Sequence, residues 1–280
     1  MIKLDEKQTT EKTNTQKNGI LQSLWRAKVL LGLVMLAVIV RACYSNGQQT
    51  VAPPGLVTTT DVVNNTEELI GKSVTIKSKP LQTVGLSSFT VSDRRFFSGK
   101  PIIVVNASGK AFDLPEDPNV AIQVTGEVRN LIISEIEREF KLRLQDENYR
   151  DSINKPAIIA RSIILSPTPT QVRANIDVYS GKRLVVIGKV ENIQSPVLFS
   201  IKENRLFVGE NLPILLNTPP AVAINKGQTI AVVGIVRPFI VAEIERDYKV
   251  TWDLQVKRQL EAQYNNMPVI VAEAVYPSGI

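Results

Sequence analysis

The chain has 280 residues, of which 44% are apolar, so it is long enough for about two ordinary domains. It contains no histidine and a single cysteine, Cys43, which excludes a histidine-dependent catalytic triad, a zinc site with histidine ligands and an internal disulfide. Residues 1–42 account for +4 of the formal net charge of +6, so the rest of the chain is nearly balanced, which weighs against a nucleic-acid binder. Without histidine or a motif that isolates a catalytic pair, an enzyme is the less favoured interpretation.

Residues 1–19 are polar and lack apolar periodicity, which predicts a disordered tail. An uninterrupted apolar run of twelve residues follows at 29–40, with Arg26 and Lys28 before it and Arg41 after it. A membrane-spanning helix needs about 20 mostly apolar residues, so the run alone is short. Lysine and arginine near the ends can reach the interface, and residues 20–44 are therefore predicted to form a single-pass anchor.

Two other interpretations of this segment stay open. Residues 40–43 (Val-Arg-Ala-Cys) resemble a lipobox, which would make Cys43 the site of lipidation, although Arg41 departs from that pattern. The run could also be a buried core helix. The anchor and the lipobox interpretations predict the same location for the rest of the chain. Positive charge before the run keeps the N-terminal side in the cytoplasm of a bacterial-type cell, so the later residues lie on the outer side of the membrane.

The remainder of the chain is a linker at 45–65 followed by two copies of one domain, at 66–167 and 168–280. The segment Glu-Ile-Glu-Arg at 135–138 returns at 243–246, and Gly71-Lys72 returns as Gly181-Lys182. The order of these landmarks is kept and their offsets drift only slightly, as expected for duplicated domains.

Each copy shows five strand patterns, which in the first copy lie at 74–79, 88–92, 101–105, 120–132 and 157–165. A helical pattern lies between the fourth and fifth strands, with Ile136, Phe140 and Leu144 at intervals of four. In the second copy this pattern predicts one longer helix over 243–265. Val250 and Thr251 are poor helix formers, so the alternative is that its early part continues the fourth strand.

The segments 66–77, 89–93, 124–128 and 158–163 resemble the bacterial OB-fold (BOF-like) group of extracytoplasmic proteins. The resemblance covers 66–167 and 172–277 and implies a mainly β chain with two tandem OB-like five-stranded Greek-key barrels, each with one helix, after the membrane segment. The helix departs from the usual OB position because it follows the fourth strand. The resemblance supplies no catalytic residue, cofactor or metal.

OB barrels often bind oligonucleotides or sugars on the face of their second and third strands, where aromatic rings stack on the ligand. Burial in the core explains a repeated phenylalanine equally well. The candidates on this face are Phe89, Arg94, Arg95 and Phe97 in the first copy and Phe199, Arg205 and Phe207 in the second.

The fourth strand differs between the copies. The outward row is polar in the first copy, with Gln123, Thr125 and Glu127, and apolar in the second, with Ala231, Val233 and Ile235. A strand that is apolar on both faces needs a cover on both, so this row predicts a contact with the first domain, a helix or a partner.

These patterns predict a membrane-anchored, extracytoplasmic, non-catalytic binding or assembly module that contacts a protein partner or itself. The alternative is a protein that binds single-stranded nucleic acid or oligosaccharide through the face of strands two and three. The repeated acidic set around 135–139 is interpreted as structural, because acidic residues stabilise a helix start and pair with neighbouring bases.

Overall fold

The structure, a computed structural model, describes residues 56–57, 66–92, 101–144, 146–203, 211–220 and 222–278. All of them belong to one unit, Pro53–Ile280, which is separate from Met1–Ala52. The predicted tail and anchor at 1–44, with Cys43, lie outside the described residues. In the described part of the chain, no helix has both the length and the apolar character that a membrane crossing requires.

The first copy forms a closed barrel of five strands, which are β2 (Ser73–Val84), β3 (Ser88–Ser92), β4 (Ile102–Asn106), β5 (Ala121–Asn130) and β6 (Pro156–Ser166). The pairs β2–β3, β3–β4, β5–β6 and β2–β5 are antiparallel, and β4–β6 is parallel. The mainly β class and the closed five-stranded barrel are therefore confirmed. All five strands follow the predicted segments.

The second copy closes in the same order through β7 (Arg183–Ser195), β8 (Leu198–Lys202), β9 (Leu212–Leu216), β10 (Thr229–Pro238) and β11 (Pro268–Pro277). Its one parallel pair is β9–β11, which corresponds to β4–β6. In both barrels alternate side chains fill the interior. The second interior includes Leu184, Val186, Phe199, Ile214, Val232 and Ile270.

Short elements precede each barrel. β1 (Leu56–Val57) runs parallel to β2, so the predicted linker 45–65 contains a strand. α1 (Thr66–Leu69) leads to a turn at Gly71, whose φ is +77°. Between the barrels lie α3 (Pro169–Ala174) and α4 (Ile176–Tyr179).

Helices cover one outer side of each barrel. After β5 come α2 (Ile133–Phe140) and a 3₁₀ helix (Asp146–Ser152), and after β10 come α5 (Val241–Tyr248) and α6 (Leu254–Tyr264). They bury the outward residues of the neighbouring strands, including Ile103, Val105 and Ile159 in the first barrel. The strands beneath are thus apolar on both faces.

The prediction of one helix per barrel, with a single helix over 243–265, is wrong. Lys249 takes a left-handed φ of 53° and ends α5, and the carboxylate of Asp253 then caps α6 by accepting from the backbone N–H groups of Gln255 and Val256. Lys141 ends α2 in the same way, with a φ of 54°. The repeated apolar spacing therefore continues across two helices.

The two barrels share a continuous sheet and part of a core. Leu165 of β6 lies opposite Leu184 of β7 in a parallel pair. Val120 of the first barrel is buried in the core of the second, and Leu165 packs against both cores. The hydrophobic effect therefore opposes separation of the barrels.

Candidate functional site

The repeated acidic segment is tied into the fold by an arginine on the fourth strand of each barrel. Arg129 Nη1 donates to Glu139 Oε2 at 2.6 Å, and Arg237 Nη1 donates to Asp247 Oδ2 at 2.8 Å. The hydrogen bond that Arg129 donates to Glu139 raises the pKa of Arg129 above its usual value. The pKa of Asp247 is lowered, first by its hydrogen bond with Arg246 and then by the bond with Arg237.

The second glutamate of the repeated segment holds the chain beyond the helix. Glu137 Oε1 accepts from the backbone N–H of Leu144 at 2.6 Å, and Glu245 Oε1 accepts from that of Trp252 at 3.0 Å. The hydrogen bond from Lys257, followed by that from Trp252, lowers the pKa of Glu245. These carboxylates are engaged in structural contacts, which favours the structural interpretation of the set.

The described residues also contain no group of three or more aspartate, glutamate or cysteine side chains placed to hold a metal ion.

The aromatic candidates on the second and third strands are core residues where the structure describes them. Phe89 is 4% exposed and Phe199 is 1% exposed. Phe89 lies 6.3 Å from Phe112 between ring centroids. Neither ring offers a face for stacking on a base or sugar. The other candidates, Arg94, Arg95, Phe97, Arg205 and Phe207, lie outside the described residues.

A shallow groove of about 500 Å³ opens on the first barrel between the β2–β3 turn and the loop after β4. Leu86 at its rim is 90% exposed. The loop holds itself together, because Asn106 Nδ2 donates to the carbonyl of Lys110 at 2.8 Å and Asn106 Oδ1 accepts from the hydroxyl of Ser108 at 2.6 Å. These contacts hold the loop in place beside the groove, which is also lined by Lys110 and Asp113.

The outer side of the second barrel brings together the predicted apolar row. Ala231 lies opposite Ile187 on β7 and Tyr276 on β11, and Val233 lies opposite Val185 and Ala274. Val185 is fully buried, while the other five side chains of this set are partly exposed. Ile235 continues the row and is 36% exposed. We call this surface the apolar face, and it comprises Ile187, Ala231, Val233, Ile235, Ala274 and Tyr276.

The sequence prediction identified three members of the apolar face, all on β10. It missed Ile187, Ala274 and Tyr276, because residues on different strands can be placed on one face only when the strand register is known. Comparison of the two copies could have indicated Ile187 as a member of the face, since it corresponds to Lys77 in the first copy. The same replacement of a polar by an apolar residue therefore occurs on two neighbouring strands.

The matching surface of the first barrel is polar. Its β2, β5 and β6 positions form what we call the polar face, which comprises Thr75, Lys77, Gln123, Thr125, Glu127 and Ser162, with Ile164 at its edge. The hydroxyls of Thr75 and Thr125 share a hydrogen bond at 2.9 Å. Glu127 lies 3.9 Å from Arg161. Thr75, Thr125 and Glu127 of this face thus each have a polar partner.

Lys77 of the polar face is influenced by the second barrel. Desolvation by burial lowers its pKa to about 8, and the carboxylate of Glu203, just beyond β8, opposes this effect. Glu203 also accepts from the Thr170 hydroxyl at 3.1 Å. The polar face thus borders the junction between the barrels.

No protein-family model matches the sequence, and no curated protein matches it. A solved structure described as "Structural mimicry for functional antagonism" aligns with 11% identity over 74% of this chain and 93% of that chain, with a TM-score of 0.27. A TM-score this low carries no inference about fold or function.

Proposed function

We propose that this chain is a membrane-anchored, extracytoplasmic, non-catalytic module whose two OB-like barrels serve in binding or assembly. The single observation that carries the proposal is the apolar face, where three neighbouring strands present partly exposed apolar side chains that the Arg183–Glu273 ion pair borders at one end. Contiguous exposed apolar surface on a soluble domain is typical of interaction sites.

The strand order supports the OB-like assignment. Within each barrel the strands neighbour one another in the order first, second, third, fifth, fourth and back to first, with a parallel pair between the third and fifth. OB barrels are five-stranded Greek-key barrels. The helices after the fourth strand then form an added outer layer, which the duplication carries in both barrels.

The anchor and the location are proposed from the sequence. The apolar run at 29–40, with basic residues on both sides, supports attachment to a membrane. Alkaline carbonate extraction of membranes tests the attachment, and digestion of intact cells or spheroplasts by added protease tests the side. A chain that carbonate releases, or barrels that protease reaches only after lysis of the membrane, would contradict this part of the proposal.

The binding role is tested by placing a charge on the apolar face. We expect Val233→Glu to reduce the recovery of bound partners at least tenfold when the tagged full-length chain is captured from detergent-solubilised membranes, because the carboxylate would have to be desolvated in the contact. Thr125→Glu, at the matching position of the polar face, is the control and should leave recovery unchanged.

Equal recovery with both glutamate variants would show that the apolar face binds nothing. Circular dichroism of each variant checks that the barrels remain folded. Salt-sensitive retention on single-stranded DNA would instead favour the alternative function, since neutralised phosphates give such binding a steep dependence on salt. The burial of Phe89 and Phe199 weighs against that alternative.

A further inference from the structure

We propose that the second barrel binds the surface of an anionic lipid membrane, with the apolar face toward the lipid and a cluster of lysines toward the headgroups. The inference names the partner of the apolar face and rests on the proposed membrane-anchored function. The lysine cluster comprises Lys189, Lys202 and Lys226, which lie around Glu191 beyond one end of the face.

The lysine cluster continues the apolar face along its strands. Lys189 follows Ile187 at the next alternate position of β7, and the register places Lys202 of β8 opposite Lys189. Lys202 Nζ binds Glu191 Oε2 at 2.8 Å. This hydrogen bond lowers the pKa of Glu191, and the nearby charges of Lys226 and Lys189 lower it further. Three ammonium groups thus face one carboxylate, which leaves an excess of positive charge.

The first barrel lacks both this cluster and the apolar face. Ser92 stands in the place of Lys202, since the two residues pair with matching positions of the first strand. Pro118 stands in the place of Lys226, in the turn before the fourth strand. The lysine cluster and the apolar face therefore distinguish the second copy and adjoin on its surface. One ligand that is both anionic and apolar accounts for the two differences together.

Arginines at the opposite end of the apolar face are paired with carboxylates. Arg183 Nε binds Glu273 Oε2 at 2.6 Å. Arg237, two residues beyond Ile235 on β10, binds Asp247 at 2.8 Å. The excess positive charge thus lies at the lysine end. Anionic headgroups above acyl chains offer a negative layer beside an apolar one, which matches this arrangement.

The loop that carries Lys226 also exposes an apolar side chain. Val222 lies four residues before Lys226 and is 77% exposed. Lysine ammonium groups bind lipid phosphates, while apolar side chains beside them enter the boundary between headgroups and acyl chains. Val222 is therefore a second apolar contact at the lysine end.

The size of the apolar face favours a lipid surface over a protein. Three strands about 4.8 Å apart, with three alternate residues about 6.8 Å apart, outline roughly 300 Å² once side chains are included. A stable protein interface buries about 800 Å² on each partner. A fluid lipid surface needs no matching shape, and the proposed anchor supplies a high effective concentration, so a small contact becomes populated.

Fluorescence quenching of the full-length chain in vesicles tests this contact. Val222→Cys is made in a Cys43→Ser chain, labelled with nitrobenzoxadiazole and reconstituted into vesicles of phosphatidylcholine alone or of equal parts phosphatidylcholine and phosphatidylglycerol. We expect quenching by doxyl-labelled lipid to be roughly tenfold stronger with phosphatidylglycerol. Leu86→Cys, on the first barrel at a side chain that is 90% exposed, is the matched control and should be quenched weakly in both. If Cys43 carries a lipid, it is retained, since its thiol is then already alkylated.

Charge variants test the lysine cluster. Lys202→Gln combined with Lys226→Gln removes its excess charge and should lower the ratio of docked to undocked chain roughly thirtyfold, because each lysine near an anionic surface contributes about a factor of five. Lys79→Gln combined with Lys110→Gln removes the same charge from the first barrel and should leave the quenching unchanged. Quenching that persists in the first pair of substitutions would overturn the inference.

The outcomes separate the lipid contact from the proposed function. Equal quenching at the two labelled positions, or quenching that ignores phosphatidylglycerol, would overturn the lipid contact alone while the chain stays in the vesicles. A chain that fails to incorporate into vesicles contradicts the anchored function itself. In capture from solubilised membranes, Val233→Glu should lower the recovered phospholipid phosphate. A protein that is lost with Val233→Glu, while the dye stays unquenched, would keep the binding function and overturn lipid as its partner.

Discussion

The two barrels share their strand order and differ in the polarity of one outer face. Thr75, Lys77 and Thr125 in the first barrel are replaced by Val185, Ile187 and Val233 in the second, at matching positions of the register. The interiors of both barrels contain large apolar clusters. Since both faces belong to the same kind of sheet, folding alone does not explain the difference. The comparison separates residues that build the barrel from residues that distinguish its two copies.

The features that the copies share are explained by local structure. The repeated Gly71 and Gly181 both adopt positive φ in the turn before the first strand, and their N–H groups donate to Val128 and Val236 of the fourth strand. Only glycine adopts such φ values at no steric cost. Such residues report on the fold of each barrel and not on its ligand.

The largest effect is expected from substitutions of a glycine that both barrels share on the fourth strand. An alanine Cβ at Gly126 would lie 2.3 Å from the carbonyl oxygen of Ile159, and one at Gly234 would lie 2.3 Å from that of Val271. Both glycines lie at irregularities where the register shifts. We expect Gly126→Ala and Gly234→Ala each to lower the free energy of unfolding by roughly 3 kcal/mol or more, because backbone must move. Urea denaturation of a fragment of residues 53–280 measures this loss.

Gly109→Ala is the control for these glycine variants. Its φ is +73°, but no atom lies within 4 Å of an added Cβ, so only the backbone strain of roughly 1 kcal/mol applies. A cost at Gly126 or Gly234 no greater than at Gly109 would contradict the role of close packing at the two register shifts.

Much of the fold could be predicted from the sequence, because strand alternation and the duplication are local or repeated signals. The pattern at 120–132 predicted β5, and the prediction overran its ends by one or two residues. The break between α5 and α6 was signalled only by the poor helix formers Val250 and Thr251, because apolar spacing continues across Lys249. That break depends on a left-handed residue and on Glu245 accepting from Trp252, which are contacts of the folded chain.

The candidate site was predictable only in part, and the reason is register. The apolar row on β10 follows from alternation in one strand, but the width of the face depends on which residues of β7 and β11 lie beside it. The pKa of Lys77 depends in part on the second barrel, through the carboxylate of Glu203. No pattern within the first copy carries that information.

A second prediction exchanges one residue of the polar face for its counterpart. Lys77→Ile should raise the free energy of unfolding at pH 7 by about 1 kcal/mol, because it removes a charged group that burial disfavours. The full shift of the pKa from 10.5 to about 8, which already includes the attraction of Glu203, would correspond to roughly 3 kcal/mol, but water reaches part of the side chain and reduces this value.

The pH dependence gives this prediction its sign. The pKa of Lys77 is lowered in the folded chain, so between about pH 8 and 10.5 the unfolded chain binds more protons and stability rises with pH. The free-energy cost of burying the protonated Lys77 amine is fully present below about pH 8. Lys77→Ile removes this cost and should therefore flatten the rise of the free energy of unfolding between about pH 8 and 10.5. Lys79→Ile is the control. It removes the hydrogen bond to Asn119 at 3.1 Å but should leave the rise of the free energy of unfolding with pH unchanged. If the free energy of unfolding of Lys77→Ile rises with pH as steeply as that of the wild type, desolvation of the Lys77 amine does not cause the rise.

The smallest expected effect concerns the arginine that ties the fourth strand to the helix. Arg237 binds Asp247 at 2.8 Å and Glu243 at 3.5 Å, and it lies 5.7 Å from the ring centroid of Tyr248. Arg129 in the first barrel binds Glu139 at 2.6 Å, and the residue in the place of Tyr248 is Phe140. Arg237→Ala should therefore cost more than Arg129→Ala in urea denaturation, about 1 kcal/mol against roughly half of that, since solvent screens both sites.

Tyr248→Phe decides whether the tyrosine hydroxyl causes this difference, because it gives the second barrel the ring of the first. The hydroxyl of Tyr248 accepts from Arg237 Nη1 at 3.3 Å, and the variant removes this bond while it keeps the ring beneath the guanidinium. We expect the cost of Arg237→Ala to fall by a few tenths of a kcal/mol when it is measured in the Tyr248→Phe background, since solvent near the surface weakens even a hydrogen bond from a charged guanidinium. An unchanged cost would assign the difference to Glu243 and to the ring.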